Sequence, residues 1–213
     1  MQIQKTAQQI ASYLLESEAV KLRPSEPFKW SSGWNSPIYC DNRITLSHPT
    51  IRTFIKTALA DVVKHQFPEA AVIGGVATAG IPQGALVADL LDMPFIYVRP
   101  EPKKHGMGNQ IEGKLEKGQK VVLVEDLVST GGSSLKAAQA VLDAGAEVVG
   151  MVAIFTYGFE IATQNFVKAG IPLHCLSNYD TLLETAAEKG LILEDSLHTL
   201  SEWRKSPDIW GQQ

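Results

Sequence analysis

One segment constrains this chain more than any other. Val121-Val122-Leu123-Val124 runs without a polar residue into Glu125-Asp126, and then into Leu127-Val128-Ser129-Thr130-Gly131-Gly132-Ser133-Ser134. Four consecutive apolar residues bounded by polar ones read as a strand buried on both faces. Two acids emerge at its carboxyl end, and a turn rich in hydroxyls and glycine leads into a helix. Layers of that kind belong to an α/β fold, where ligands bind in the crevice outside the carboxyl ends of the strands.

Each residue type in the turn has a physical use. Gly131 and Gly132 let the backbone turn several N–H groups inward, and the dipole of the following helix adds to them, so a phosphate can be held without lysine. Ser129, Thr130 and Ser133 supply further donors. Glu125 and Asp126 would repel a phosphate set directly on them, so they must face hydrogen-bond donors, and a ribose diol is the natural partner. The plain alternative is a capped helix after a core strand with both acids solvated; the adjacent acid pair with the full spacing favours a sugar-phosphate site. Competing phosphate motifs fail. Gly75 to Gly80 has the spacing of a nucleotide P-loop, but Ile81 stands where the lysine belongs, and Gly106 and Gly108 open a dinucleotide fingerprint that Ile111 does not close.

The rest of the chain supports one domain with a small appendage. Ile10, Leu14 and Leu15 fall at helical spacing, Phe28 to Arg43 reads as a small hairpin or pair of strands, and Ser47 is expected to cap a helix reaching about Gln66, with Pro49 in its first turn. Strands are then expected at Ala71–Gly74, Phe95–Val98, Val121–Glu125 and Val148–Phe155, with helices at Gly80–Leu91, Ser133–Ala144 and about Glu160–Ala169. A short strand near Ile171–Leu176 and helices from Thr181 and Glu194 complete the pattern. An N-terminal hood is placed mainly at 1–45 and the core at about 46–213. With 19 Lys and Arg against 23 Asp and Glu, the chain has no global attraction for nucleic acid, so anion binding must be local. No signal-like or membrane-length apolar run occurs, and Cys40 and Cys175 lie far apart without a metal-ligand pattern, which together suggest a cytoplasmic protein.

A second cluster follows the strand ending at Val98. Arg99, Lys103, Lys104 and His105 crowd a segment punctuated by Pro100, Pro102, Gly106 and Gly108. It reads either as a solvated basic loop or as a lid for a polyanion such as pyrophosphate. Trp30 and Trp34 fit a hood core better than a stacking platform, and His48, His65, His174 and His198 show no ligand spacing.

The acid pair followed by Leu127, Val128, Ser129, Thr130, Gly131, Gly132 and Ser133 resembles the signature with which type I phosphoribosyltransferases bind phosphoribosyl pyrophosphate (PRPP). The resemblance implies their five-stranded parallel sheet, flanked by helices, with a small N-terminal hood. The spacing of Arg99, Lys103, His105-Gly106 and Gly113 is similar to the catalytic loop of the orotate phosphoribosyltransferase family. Similarity also runs through Phe28 to Arg43, Gly75 to Pro82 and Ala144 to Tyr157. Some members carry lysine at the positions of Pro100 and Ala79 and arginine at that of Tyr157.

What the resemblance implies is specific. Ribose 5-phosphate would pass from PRPP to orotate, giving orotidine 5′-phosphate and pyrophosphate in pyrimidine biosynthesis, in a homodimer with shared sites. PRPP would be held by Arg99, Lys103, Lys104, His105 and residues 125–133, with Lys103, His105 and Asp126 catalytic. Mg²⁺ would be bound mainly by PRPP and water. Orotate carries a carboxylate, for which Ser129 is the expected donor with Arg43 as a helper, although a bracing salt bridge suits Arg43 equally. Transfer to another base, or PRPP sensing without catalysis, remain open readings of the sequence.

Overall fold

A computed structural model describes residues 2–30, 33–101 and 110–211. In chain order the elements are α1 (Gln2–Glu16), β1 (Val20–Leu22), β2 (Phe28–Lys29), β3 (Asn35–Ser36), β4 (Ile38–Cys40), a 3-10 helix (Asn42–Ser47), α2 (Pro49–Gln66), β5 (Val72–Val76), α3 (Gly80–Leu91), β6 (Phe95–Val98) and β7 (Ile111–Glu112). There follow β8 (Lys120–Val128), α4 (Gly132–Asp143), β9 (Glu147–Thr156), α5 (Glu160–Ala169), β10 (Leu173–Asn178), α6 (Tyr179–Glu188) and α7 (Glu194–Lys205). Two compact units result, one of residues 52–176 and one that joins 1–51 to 177–213.

The 52–176 unit is built on a mostly parallel sheet with strand order β10-β9-β8-β5-β6-β7. β5 lies parallel to both β6 and β8, and β8 parallel to β9, while β7 runs antiparallel at the edge. All five residues of β5 are buried, as are Val121 to Glu125 in β8, which is why these strands read as continuous apolar runs rather than alternating ones. On one face Val72, Leu123, Met151 and Ala153 pack with Ala138 and Val141 of α4 and Phe166 of α5. Two glycines serve packing here, Gly75 of the rejected P-loop pattern and Gly84 of α3: a side chain at Gly84 would stand 2.9 Å from the Phe95 ring and one at Gly75 2.9 Å from Ile81 Cα. They let α3 lie directly on β5.

The other unit explains the aromatic residues of the N-terminal segment. β2 pairs with β3 within the expected 28–43 stretch, and β4 of that stretch pairs with β1, which lies just before it; both pairings are antiparallel. Ile10 and Leu14 of α1 are buried as their spacing predicts, and the Ser177 hydroxyl donates to the Ala7 carbonyl at 2.9 Å. Trp203 of α7 is fully buried, its Nε1 donating to the Asn35 carbonyl at 3.1 Å. The half-buried Trp30 meets it edge-on at 5.6 Å and donates to the Ile38 carbonyl, so it packs against the unit's core ring.

Three features differ from expectation. The unit around the N-terminus is larger than a 1–45 hood, because the C-terminal helices supply the apolar partners that so short a segment lacks. Ser47 does not cap α2: it ends the 3-10 helix, which Asp41 caps instead by accepting from the Arg43 amide, and α2 opens at Pro49. The two-residue strand β7 is too short to leave a periodic trace. Among the described residues no helix is long and apolar enough to cross a membrane.

Phe67 covers Gly150 in β9 so closely that a side chain there would overlap the ring. Gly150→Ala should therefore destabilise the protein by about 1–3 kcal/mol through overpacking, lowering the melting temperature by several degrees in calorimetry. An unchanged melting temperature would contradict this packing.

Candidate functional site

The parallel pairings bring the carboxyl ends of β5, β6, β8 and β9 to one edge of the sheet, with Val76 opposite Val98 and Val128 opposite Thr156. The turns that follow lie along that edge. Ala77 donates to the Val98 carbonyl at 2.9 Å, which places the 77–79 turn beside Arg99. A side chain on Gly80 would strike the Val124 carbonyl, so the start of α3 sits against the end of β8, next to Glu125.

At the centre is the turn from β8 into α4. Gly131 has φ +81°, a left-handed conformation that glycine adopts without strain, and it caps α4 with no side-chain hydrogen bond. Leu135 is the first amide of α4 to reach back, donating to the Gly131 carbonyl at 2.9 Å. Among the described residues, the amides of residues 130–134 donate to no protein atom, and the hydroxyls of Ser129, Thr130 and Ser133 have no protein partner. Gly132 and Ser133 are exposed. A row of unsatisfied N–H groups at the start of a twelve-residue helix has the donors and the dipole that an anion needs.

The two acids play different parts. Glu125 is only 6% exposed; its carboxylate accepts from the Ser134 hydroxyl and from the Asp126 amide, each at 3.0 Å. Burial pushes its pKa well above the usual carboxylate range, and the neighbouring Asp126 charge adds to the rise. Asp126 is half-buried. Glu125 thus braces strand to helix from inside, with Asp126 beside it at the end of β8. Leu127 is half-buried, whereas Val128 is fully buried and its carbonyl accepts from the Thr156 hydroxyl at 3.0 Å.

Arg99 lies at the base of the basic segment, its Nη1 3.4 Å from Glu112 Oε1. The Arg99 amide donates to the Gln110 carbonyl at 2.9 Å, and Gln110 Nε2 returns a bond to the Arg99 carbonyl at 3.0 Å, so β6 and β7 pin the two ends of the segment together. Lys103, Lys104 and His105 lie outside the described residues. Arg43 belongs to the other unit, where its guanidinium grips Asp41 in a two-pronged pair at 2.6 and 2.8 Å, as the bracing alternative expects. Tyr157, at the arginine position of some relatives, is buried and stacked on Phe159 at 5.4 Å. Burial pushes the thiol of Cys175 up to about 12, away from the thiolate form that a nucleophile needs.

Two contributors escaped the sequence reading. Ser134 shares its inward face with Ala137, Ala138 and Val141, a helical stripe that could have marked it as the serine that turns inside. Asn165 of α5 donates to the Thr130 carbonyl at 3.1 Å, a pairing across 35 residues that no local pattern announces.

Comparison with known proteins agrees with this geometry. The phosphoribosyl transferase domain family matches residues 45–166. The chain is 59% identical over 202 residues to the orotate phosphoribosyltransferase of Cytophaga hutchinsonii, covering 95% of this chain and 97% of that one. It is 55% identical to that of Porphyromonas gingivalis, covering 95% and 96%. The crystal structure of orotate phosphoribosyltransferase from Aeropyrum pernix superposes with a TM-score of 0.72 at 30% identity, covering 84% of this chain and 99% of that one.

The burial of Glu125 has a pH signature. A folded-state pKa raised above the ordinary 4.5 means that the native state prefers the protonated carboxyl, a contribution fully present below pH 4.5 and lost as pH rises through the raised value. Glu125→Gln removes that loss. The melting temperature of the variant minus that of the parent should become more positive as pH rises above 4.5, and a difference independent of pH would contradict the burial.

Proposed function

The chain belongs to the orotate phosphoribosyltransferase family, within the wider phosphoribosyl transferase domain family, and from that premise we infer that it transfers ribose 5-phosphate from PRPP to orotate. The observation that carries this reading at the site is the row of unsatisfied amides at residues 130–134 beside the Glu125–Asp126 pair. Together they match a ligand with a phosphate at one end and a diol at the other. The products are orotidine 5′-phosphate and pyrophosphate, in pyrimidine biosynthesis.

In the mechanism we propose, the amides of 130–133 with the hydroxyls of Thr130 and Ser133 hold the 5′-phosphate. Asp126 accepts hydrogen bonds from the ribose diol and, by its charge, favours the cationic character that grows on the ribose as the C–O bond breaks. Arg99, Lys103, Lys104 and His105 are assigned to the departing pyrophosphate, and Ser129 to the orotate carboxylate. A ring nitrogen of orotate attacks the anomeric carbon, so positioning and charge complementarity suffice and the protein supplies no nucleophile.

The donor set at the edge suits Mg²⁺ carried in by PRPP. Among the described residues no three of His, Cys, Asp and Glu converge on one point, and of the acid pair Asp126, the less buried member at the strand end, would be the carboxylate to meet the ion or its waters. Mg²⁺ usually binds through one or two carboxylates together with substrate phosphates, and it would neutralise charge on the leaving group. We further assign the chain to a cytoplasmic homodimer with shared active sites, as family resemblance implies.

The test is PRPP-dependent and Mg²⁺-dependent loss of orotate absorbance, run beside uracil and purine bases. Orotate should be consumed and the other bases spared, and consumption of a purine instead would overturn the assignment. Asp126→Asn should lose at least about tenfold in kcat/KM for PRPP, as removal of a charged partner does. Unaltered kinetics in that variant would remove Asp126 from the diol.

A further inference from the structure

We propose that Asn165 is a positioning residue for this reaction: its side-chain amide holds the Thr130 carbonyl and so aims the Gly131 N–H at the 5′-phosphate. The inference rests on the reading above, that the 129–133 turn binds that phosphate.

Asn165 lies in α5, outside the sheet edge and outside the motif, yet its Nδ2 donates to the Thr130 carbonyl at 3.1 Å. Only the NH₂ end of the side chain can make this bond, because the partner is itself an acceptor. In a trans peptide the carbonyl of one residue and the N–H of the next leave a single rigid plane in opposite directions. A donor fixed on the α5 side of Thr130 therefore turns the Gly131 N–H away from α5. That amide meets no protein acceptor among the described residues.

The next residue of α5 secures the same turn by contact. Phe166, buried in the core, leaves room only for glycine at position 131, where a side chain would stand 2.8 Å from the ring. Phe166 fixes where the turn lies, and Asn165 fixes which way its peptide faces. The division matters because Gly131 and Gly132 are the residues least able to hold a peptide plane by themselves. A turn free to flip that plane would lose a donor from the anion site without disturbing Asp126 or the basic segment. The selective consequence is weaker binding of ligands that carry a 5′-phosphate, with pyrophosphate binding unaffected.

The experiment compares the parent protein with Asn165→Leu, which keeps bulk and removes the donor, and with Asn165→Ala in case the leucine disturbs folding. Steady-state kinetics should show the KM for PRPP rising about 5- to 20-fold, the loss expected when one hydrogen bond to a charged group is misdirected. The kcat at saturating PRPP and the KM for orotate should stay within about twofold. Direct titration should show ribose 5-phosphate weakened by a similar factor and pyrophosphate unchanged. Unaltered ribose 5-phosphate affinity in both variants would overturn the assignment of Asn165, as would equal weakening of pyrophosphate. If the parent protein itself neither used PRPP nor bound ribose 5-phosphate, the reading of the turn would fail first, and the Asn165 proposal with it.

Discussion

A phosphate held without lysine needs several backbone amides aimed at one point, and amides aimed at a ligand cannot also satisfy their own protein. That conflict governs the carboxyl edge of this sheet. Residues 130–134 leave their N–H groups without protein acceptors among the described residues, so their arrangement must be enforced from elsewhere. Glu125 ties Ser134 to the end of β8, Asn165 and Phe166 hold the turn from α5, and Thr156 closes the Val128 carbonyl. The turn is unsatisfied in itself and over-determined by its surroundings, which is the form preorganisation takes in a binding site.

The acid pair shows how one local environment gives two neighbouring carboxyls separate duties. A buried carboxyl loses hydration and favours its neutral form, and a second carboxylate beside it adds to that preference. Glu125, held by Ser134, serves the fold, and the proposed function gives Asp126 the negative potential against the ribose. In such a site the charge that stabilises a developing cation stands on a rigid strand end rather than on a mobile loop.

Much of this was legible in the sequence, for reasons that can be named. Uninterrupted apolar runs such as Val121–Val124 and Phe95–Val98 mark strands covered on both faces, and β6 and the helices at 80–91 and 160–169 lie where the pattern put them. The turn from β8 into α4 was legible because its glycines, hydroxyls and acids are contiguous. What stayed hidden depends on distance along the chain. The return of 177–213 to the N-terminal unit hangs on contacts such as that of Trp203 with Asn35, which lie 168 residues apart. The engagement of Arg43 by Asp41 was local and still ambiguous, because a guanidinium suits a carboxylate of the protein as well as one of a substrate. Ser47 failed as a cap because a 3-10 turn, closed by Asp41, claimed the residues before Pro49.

The central claim is that the backbone of this turn, rather than any cationic side chain, takes the phosphate. Titrating isotopically labelled protein with ribose 5-phosphate, and following the amide resonances, tests it most directly. Saturable shifts concentrated at the amides of Thr130, Gly131, Gly132 and Ser133 are predicted. Saturable binding of ribose 5-phosphate that leaves those four amides unmoved would contradict the account.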